Sequence, residues 1–219
     1  MRLVIFDVDG TLVDSQGDIV ASMTAAFAEV GLVTPARADI LGIVGLSLDV
    51  AMARLAPEAN TERMVRTYKD TYAHLRATKG AASSPLYPGA RAALDHFAGR
   101  DDVLLGVATG KSKRGLDSLI AAHGLEGMFV TRQVADFHPS KPHPSMIHAA
   151  LNETGIEAGD AVMVGDTRFD MEMATNAGVA AIGVAWGYHP RTELGAARQV
   201  IDGFAELPAA IDEVLEASA

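Results

Sequence analysis

The residues best suited to chemistry stand in the string Asp7-Val-Asp-Gly-Thr-Leu-Val-Asp14. Asp7 and Asp9 are two residues apart and can lie on the same side of the chain. Gly10 permits a tight backbone path and close approach of a ligand. The Thr11 hydroxyl can hold the turn and orient the carboxylates. An Asp-Gly pair alone is an ordinary turn, but the whole string follows directly on a short apolar run, residues 2–6, that has the pattern of a buried strand. In an open parallel sheet, ligands bind beyond the carboxyl ends of the strands, which places Asp7 at a functional edge.

The elements that must position this string alternate. Apolar runs at 103–108, 161–164 and 179–184 read as further strands, with a weaker one at 128–132. Helix-period segments lie between them. Residues 113–123 stop at Gly124, residues 144–154 at Gly155 and residues 170–177 at Gly178. A last helix is expected over Pro208–Ala217. This pattern predicts an α/β fold, a doubly wound, Rossmann-like parallel sheet covered on both faces. Residues 16–80 break the alternation. Ile19, Met23, Phe27 and Val30 share one helical face, with a stop at Gly31, and helical stretches follow at 36–42, 48–55 and 61–78. Residues 80–85 read as a flexible return. The expected division is a core of residues 1–14 and 86–219, with an inserted α-helical domain at 15–85.

Composition narrows the function. The 219 residues contain no cysteine, which excludes disulfides, thiol nucleophiles and thiolate metal sites. A net charge of −10 argues against nucleic acid or an anionic membrane as partner. The N-terminus shows no signal-peptide pattern and no apolar stretch is long enough to span a bilayer. The expectation is a cytoplasmic protein acting on a small molecule, as monomer or homodimer.

The string at Asp7 resembles the first motif of the haloacid dehalogenase superfamily, and three further motifs follow in order. Val107-Ala-Thr-Gly110 resembles the second, Lys141-Pro142 the third, and Gly165-Asp-Thr-Arg-Phe-Asp170 the fourth. The helical insert resembles the superfamily's cap, with Gly42–Ser47 as the segment that faces the site. The resemblance covers nearly the whole chain and is closest in pattern to phosphoglycolate phosphatases. It implies Mg2+-dependent hydrolysis of a phosphate monoester through an aspartyl-phosphate. Asp7 would be nucleophile and metal ligand, and Asp9 a ligand through its carbonyl and the general acid–base through its carboxylate. Asp166 would be the main carboxylate ligand, with Asp170 supporting the metal or its waters. Thr109 and the Gly110 amide would bind phosphate oxygens, and Lys141 would neutralise charge. The chemistry needs such a set, because two unit charges ~4 Å apart repel by roughly 4 kcal/mol at an effective dielectric of about 20, and an all-oxygen donor set suits Mg2+.

Asp9 separates this chain from similar dehalogenases, which carry an aromatic residue there, and from similar ion-pumping ATPases, which carry threonine. Leu46 and Leu48 beside Ser47, and the absence of lysine before Lys69, separate it from similar phosphohexomutases and phosphonate hydrolases. The substrate is expected to be a small phosphorylated metabolite, with another sugar phosphate, a nucleotide or a pyrophosphate as alternatives to phosphoglycolate. A phospho-acceptor signalling domain and a non-catalytic scaffold are the competing classes. His138, His143 and His148 read as solvated loop residues. Lys111, Lys113 and Arg114 read as a solvated helix start, and Trp186 and Tyr188 as structural. For Asp170 an alternative role is N-cap of the following helix, and for Thr109 a helix cap. Arg54, Lys69 and His74 could reach a substrate carboxylate.

Overall fold

Strand β1 (Arg2–Phe6) is buried on both faces, and the rest of the architecture follows from covering it. Alternate residues point to opposite sides of a strand. Val4 and Phe6 enter one apolar cluster, Leu3 and Ile5 another. The computed structural model describes residues 1–216. After β1 come α1 (Gln16–Glu29), α2 (Arg37–Leu41), α3 (Leu48–Leu55), α4 (Thr61–Lys79) and α5 (Ala90–Ala98). Then follow β2 (Val103–Thr109), α6 (Lys113–His123), β3 (Thr131–Val134), α7 (Ser145–Thr154), β4 (Ala161–Gly165) and α8 (Arg168–Ala177). The chain continues through β5 (Ala180–Val184), β6 (Gln199–Ile201) and α9 (Leu207–Glu216). The strands pair in parallel in the order β3-β2-β1-β4-β5-β6.

The chain runs outward from β1 in one direction and then returns to build the other half, so the switch point lies at β1/β4. Residues of α5, α6 and α9 cover one face, around Leu94, Phe97, Leu116 and Ile211. Residues of α7 and α8 cover the other, around Ile147 and Met171. Helices α1 to α4 bury a third apolar cluster among themselves, including Met23, Ile40, Met52 and Met64, joined by Phe169 from α8. The doubly wound α/β architecture expected from the sequence is the one observed. Among the described residues no helix is long and apolar enough to cross a membrane.

Several expectations are corrected. The third strand begins at Thr131 rather than Met128, because Met128 closes a turn onto Leu125 and Phe129 packs into the core. Strand β6 and helix α5 were not expected. Residues 80–83 form a 3-10 helix with Ser83 and Ser84 buried, not a flexible return. The last helix runs to Glu216, and the Ala217 expected to end it lies outside the described residues. Phe97 is fully buried on α5. Phe97→Ala should cost about 3–5 kcal/mol of unfolding free energy, measured by urea denaturation. A loss under about 1 kcal/mol would show that this face tolerates a void of that size.

Candidate active site

Three neighbouring strands, β2, β1 and β4, deliver their carboxyl ends to one place. Asp7 is the first residue past β1, and its backbone N–H still donates to the Val164 carbonyl at 2.9 Å. Thr109 ends β2, and Asp166 is the first residue past β4. Lys141 comes from the loop before α7 and Asp170 from the first turn of α8. All five side chains are buried.

Asp166 is fixed from two sides. The Thr11 hydroxyl donates to its Oδ1 at 2.9 Å, and the Tyr188 backbone N–H to its Oδ2 at 2.8 Å. Thr11 is itself held by Trp186, whose Nε1 donates to the Thr11 carbonyl at 3.1 Å. Gly10 has φ +90°, and a Cβ there would lie 2.2 Å from Asp166 Oδ2. Both the backbone and the space therefore require glycine. Asp170 accepts from the Thr167 backbone N–H at 3.0 Å and from its hydroxyl at 2.7 Å. Thr167 is the N-cap of α8 and Asp170 stands at the third helical position, the two forming a capping box. This corrects the N-cap role considered for Asp170. The other Asp170 oxygen accepts from Lys141 Nζ at 2.6 Å.

Lys141 Nζ also lies 3.0 Å from Asp7 Oδ1. Burial works against the lysine charge, yet Asp170 and Asp7 together hold its pKa above the ordinary value. Neither Asp7 oxygen has an aligned hydrogen bond from a described residue. Burial pushes the Asp7 carboxyl up to about 7; Lys141 pulls it down, and the Asp170 charge pushes back. Burial, then Asp170 and Asp7, raise Asp166 well above the carboxylate range. One oxygen each of Asp7, Asp166 and Asp170 lies within 4.8 Å of the other two. When all three are ionised, three carboxylates against one ammonium leave two negative charges in a buried space, which is why burial and mutual repulsion raise Asp7 and Asp166 in the absence of a cation. A hard divalent cation fits both that charge and the all-oxygen donors.

The Asp9 carboxylate lies outside this cluster. It accepts from Ser15 Oγ at 2.6 Å and from Lys111 Nζ at 2.9 Å. The solvated helix start expected for Lys111 is thereby overturned. Its ammonium is buried, touches the Tyr72 hydroxyl at 3.3 Å and stands 4.7 Å from that ring's centroid. Burial opposes its charge, but Asp9 and Tyr72 hold its pKa above the ordinary value. The N-cap of α6 is Ser112, not Thr109; the Thr109 hydroxyl instead accepts from the Lys111 backbone N–H at 3.2 Å. Gly110 lies against the Gly42–Ser47 segment, where a Cβ would meet the Leu46 carbonyl at 2.6 Å.

His138 bonds Ser145 at 2.8 Å and Gln133 at 2.9 Å rather than standing free in solvent, while His143 and His148 are exposed. Among the described residues the three make no metal cluster. Arg168 is half-exposed, 3.8 Å from Glu193, and Arg54 lies 5.8 Å from the Phe169 ring centroid. His74 is exposed, and Lys69 lines the cavity in front of Asp7. Sequence reasoning did not single out Thr167 or Arg76 and gave no contact for Tyr188. The one signal at hand was Lys111, adjacent to the second motif.

Residues 4–184 match the family described as haloacid dehalogenase-like hydrolase. The chain belongs to this family. Over 222 residues it is 36% identical to "Probable phosphatase IndB" of Dickeya dadantii, covering 99% of this chain and 96% of that one. The phosphoglycolate phosphatase of Agrobacterium fabrum is 34% identical over 223 residues, covering 97% and 93%. Among solved structures, a hydrolase from Pseudomonas syringae shares the fold with a TM-score of 0.85 at 24% identity, covering 97% of this chain and 99% of that one. CbbY from Rhodobacter sphaeroides, in complex with phosphate, does so with a TM-score of 0.82 at 24% identity, covering 97% and 99%.

The raised Asp7 carboxyl has a consequence for stability. A group whose folded pKa lies above its unfolded value contributes stability that is complete below about pH 4 and is lost as pH rises through about 7. In EDTA, Asp7→Asn should therefore gain on the native sequence as pH rises across that window, by on the order of a few kcal/mol. Urea denaturation as a function of pH measures it. A difference independent of pH would show that Asp7 carries no such shift.

Proposed function

We propose that the protein is a Mg2+-dependent phosphatase for a small-molecule phosphate monoester, with Asp7 as nucleophile. The observation that carries this is the Asp7 carboxylate. It is buried, free of aligned hydrogen bonds, and open to a cavity of 740 Å³ also lined by Asp9, Thr109 and Gly110. Lys141 Nζ, 3.0 Å from Oδ1, favours the ionised form that attacks.

The residues divide the work. Asp7 attacks phosphorus as the bond to the leaving oxygen breaks, and Asp9 gives that oxygen its proton. Asp9 then takes a proton from the water that displaces Asp7 from phosphorus, releasing phosphate and restoring both carboxyl groups. To reach either oxygen, Asp9 exchanges its bonds to Ser15 and Lys111 for one to the substrate. Lys141 neutralises charge beside Asp7, and the Thr109 hydroxyl and Gly110 N–H hold phosphate oxygens. Mg2+, held by Asp7, Asp166 and the Asp9 carbonyl, would offset the repulsion between the carboxylate and the phosphate dianion. Asp170 supports the site by fixing Lys141. Residues 15–85 serve as a cap that excludes water from the chemistry, over a core of 1–14 and 86–219. The resemblance to phosphoglycolate phosphatases makes a small phosphorylated metabolite the substrate class.

Phosphate release from a panel of esters should require Mg2+, stop in EDTA, and vanish in Asp7→Asn. Asp9→Asn should slow turnover by roughly 10²–10⁴-fold. Full activity in Asp7→Asn would refute the nucleophile, and no release from any ester would refute the phosphatase. Because Asp7 must lose its proton to bind metal, the rise in melting temperature given by Mg2+ should be larger above than below about pH 7. Differential scanning fluorimetry measures it, and a rise equal at both ends of the range would exclude Asp7 as a ligand.

A further inference from the structure

The cavity in front of Asp7 is walled mostly by apolar side chains of α1, α4 and the Gly42–Ser47 segment, such as Ile19, Met23 and Val44. Four cationic side chains line it: Lys69 and Arg114 are exposed, Lys111 is paired with Asp9, and Arg76 is buried. Arg76 lines the cavity and is only 7% exposed, the most deeply buried arginine among the described residues. It follows Tyr68 and Tyr72 at successive four-residue steps of α4, so all three share the helix face that borders the cavity.

Its bonding is incomplete. Nη1 donates to Ser84 Oγ at 3.3 Å, while Nε and Nη2 have no partner among the described residues. No carboxylate of a described residue forms an ion pair with it. Asp18, buried on α1, is already engaged by Lys79 at 2.6 Å and by Ser83. A buried charge without a partner is costly, and a guanidinium offers a planar fork matched to a carboxylate or phosphate. A cavity of 740 Å³ also falls in the range used by ligands of some size. A polar line runs from Asp9 through Lys111, Tyr72 and Ser84 to Arg76, with steps of 2.9, 3.3, 3.1 and 3.3 Å. The guanidinium thus ends a path that begins at the proposed acid–base.

We infer that Arg76 receives a second anionic group, carboxylate or phosphate, carried by the leaving portion of the substrate. This rests on the phosphatase proposal and narrows its substrate class to monoesters with two anionic ends. Arg76 sets specificity and takes no part in bond breaking.

The test uses three phosphonates that are not hydrolysed: benzylphosphonate, 4-carboxybenzylphosphonate and 1,4-bis(phosphonomethyl)benzene. Their Kd values are measured by calorimetry in Mg2+ on the full chain. At least one of the two doubly anionic ligands should bind about tenfold tighter than benzylphosphonate, and the better of the two identifies the second anion. That ratio should fall to near one in Arg76→Met and be partly kept in Arg76→Lys. Arg76→Gln gives the same comparison should the methionine variant not fold. A native ratio near one for both ligands, or a ratio that survives loss of the charge, would overturn the inference. Phosphate release by the native protein from 4-carboxybenzyl phosphate and from 1,4-bis(phosphooxymethyl)benzene, the esters that match the two doubly anionic ligands, reports separately on the phosphatase. Failure there with an Arg76-dependent binding ratio would refute the reaction and leave the anion site standing.

Discussion

Three buried carboxylates crowd together beside one lysine, which pairs with two of them, Asp7 and Asp170, and most of the structure around the site serves to keep them together. Asp7, Asp166 and Asp170 would separate or take up protons if left to themselves. Lys141 offsets part of their repulsion from a position with no solvent access. The remainder is resisted by geometry. Thr11 and the Tyr188 backbone hold Asp166, Thr167 holds Asp170, and the β1 ladder extends into Asp7. The sheet order matters for the same reason, since only neighbouring strands bring Asp7 and Asp166 within reach. The residual negative charge would suit a divalent cation and, through it, the phosphate dianion of the proposed substrate.

A second charge pair links the helices to this centre. Asp9 bonds Ser15, at the entry to α1, and Lys111, which reaches Tyr72 on α4. The Ser47 backbone N–H donates to Ser140 Oγ at 2.8 Å, one residue before Lys141. The helices of residues 16–79 therefore touch the motif loops through polar contacts near the site, while burying their apolar surface mainly on one another. Phe169 of α8 is the side chain from the sheet-covering helices that enters this cluster.

The central strands were legible in the sequence because burial on both faces makes them unbroken apolar runs. Of the edge strands, β3 was expected three residues early, at 128–132, and β6 not at all. β3 carries exposed Arg132 and the polar Gln133, and β6 is three residues long and half-buried. The motif residues were legible as a set, since their order along the chain maps onto neighbouring strand ends. Lys111 and Arg76 were not, because a lysine or arginine on a helix reads as surface by default. Only the fold shows that Asp9 claims the first and that no described residue claims two nitrogens of the second. The capping box at Thr167 and Asp170 was half visible: the helix start was placed two residues late, which made Asp170 a candidate N-cap.

The claim on which the account stands is that phosphate passes through Asp7. It is tested most directly by quenching the protein with acid during turnover, reducing any acyl phosphate with borohydride, and sequencing the peptides by mass spectrometry. Homoserine is expected at position 7 of the native protein and at no other aspartate. Homoserine at another aspartate, or turnover with every aspartate intact, would contradict it.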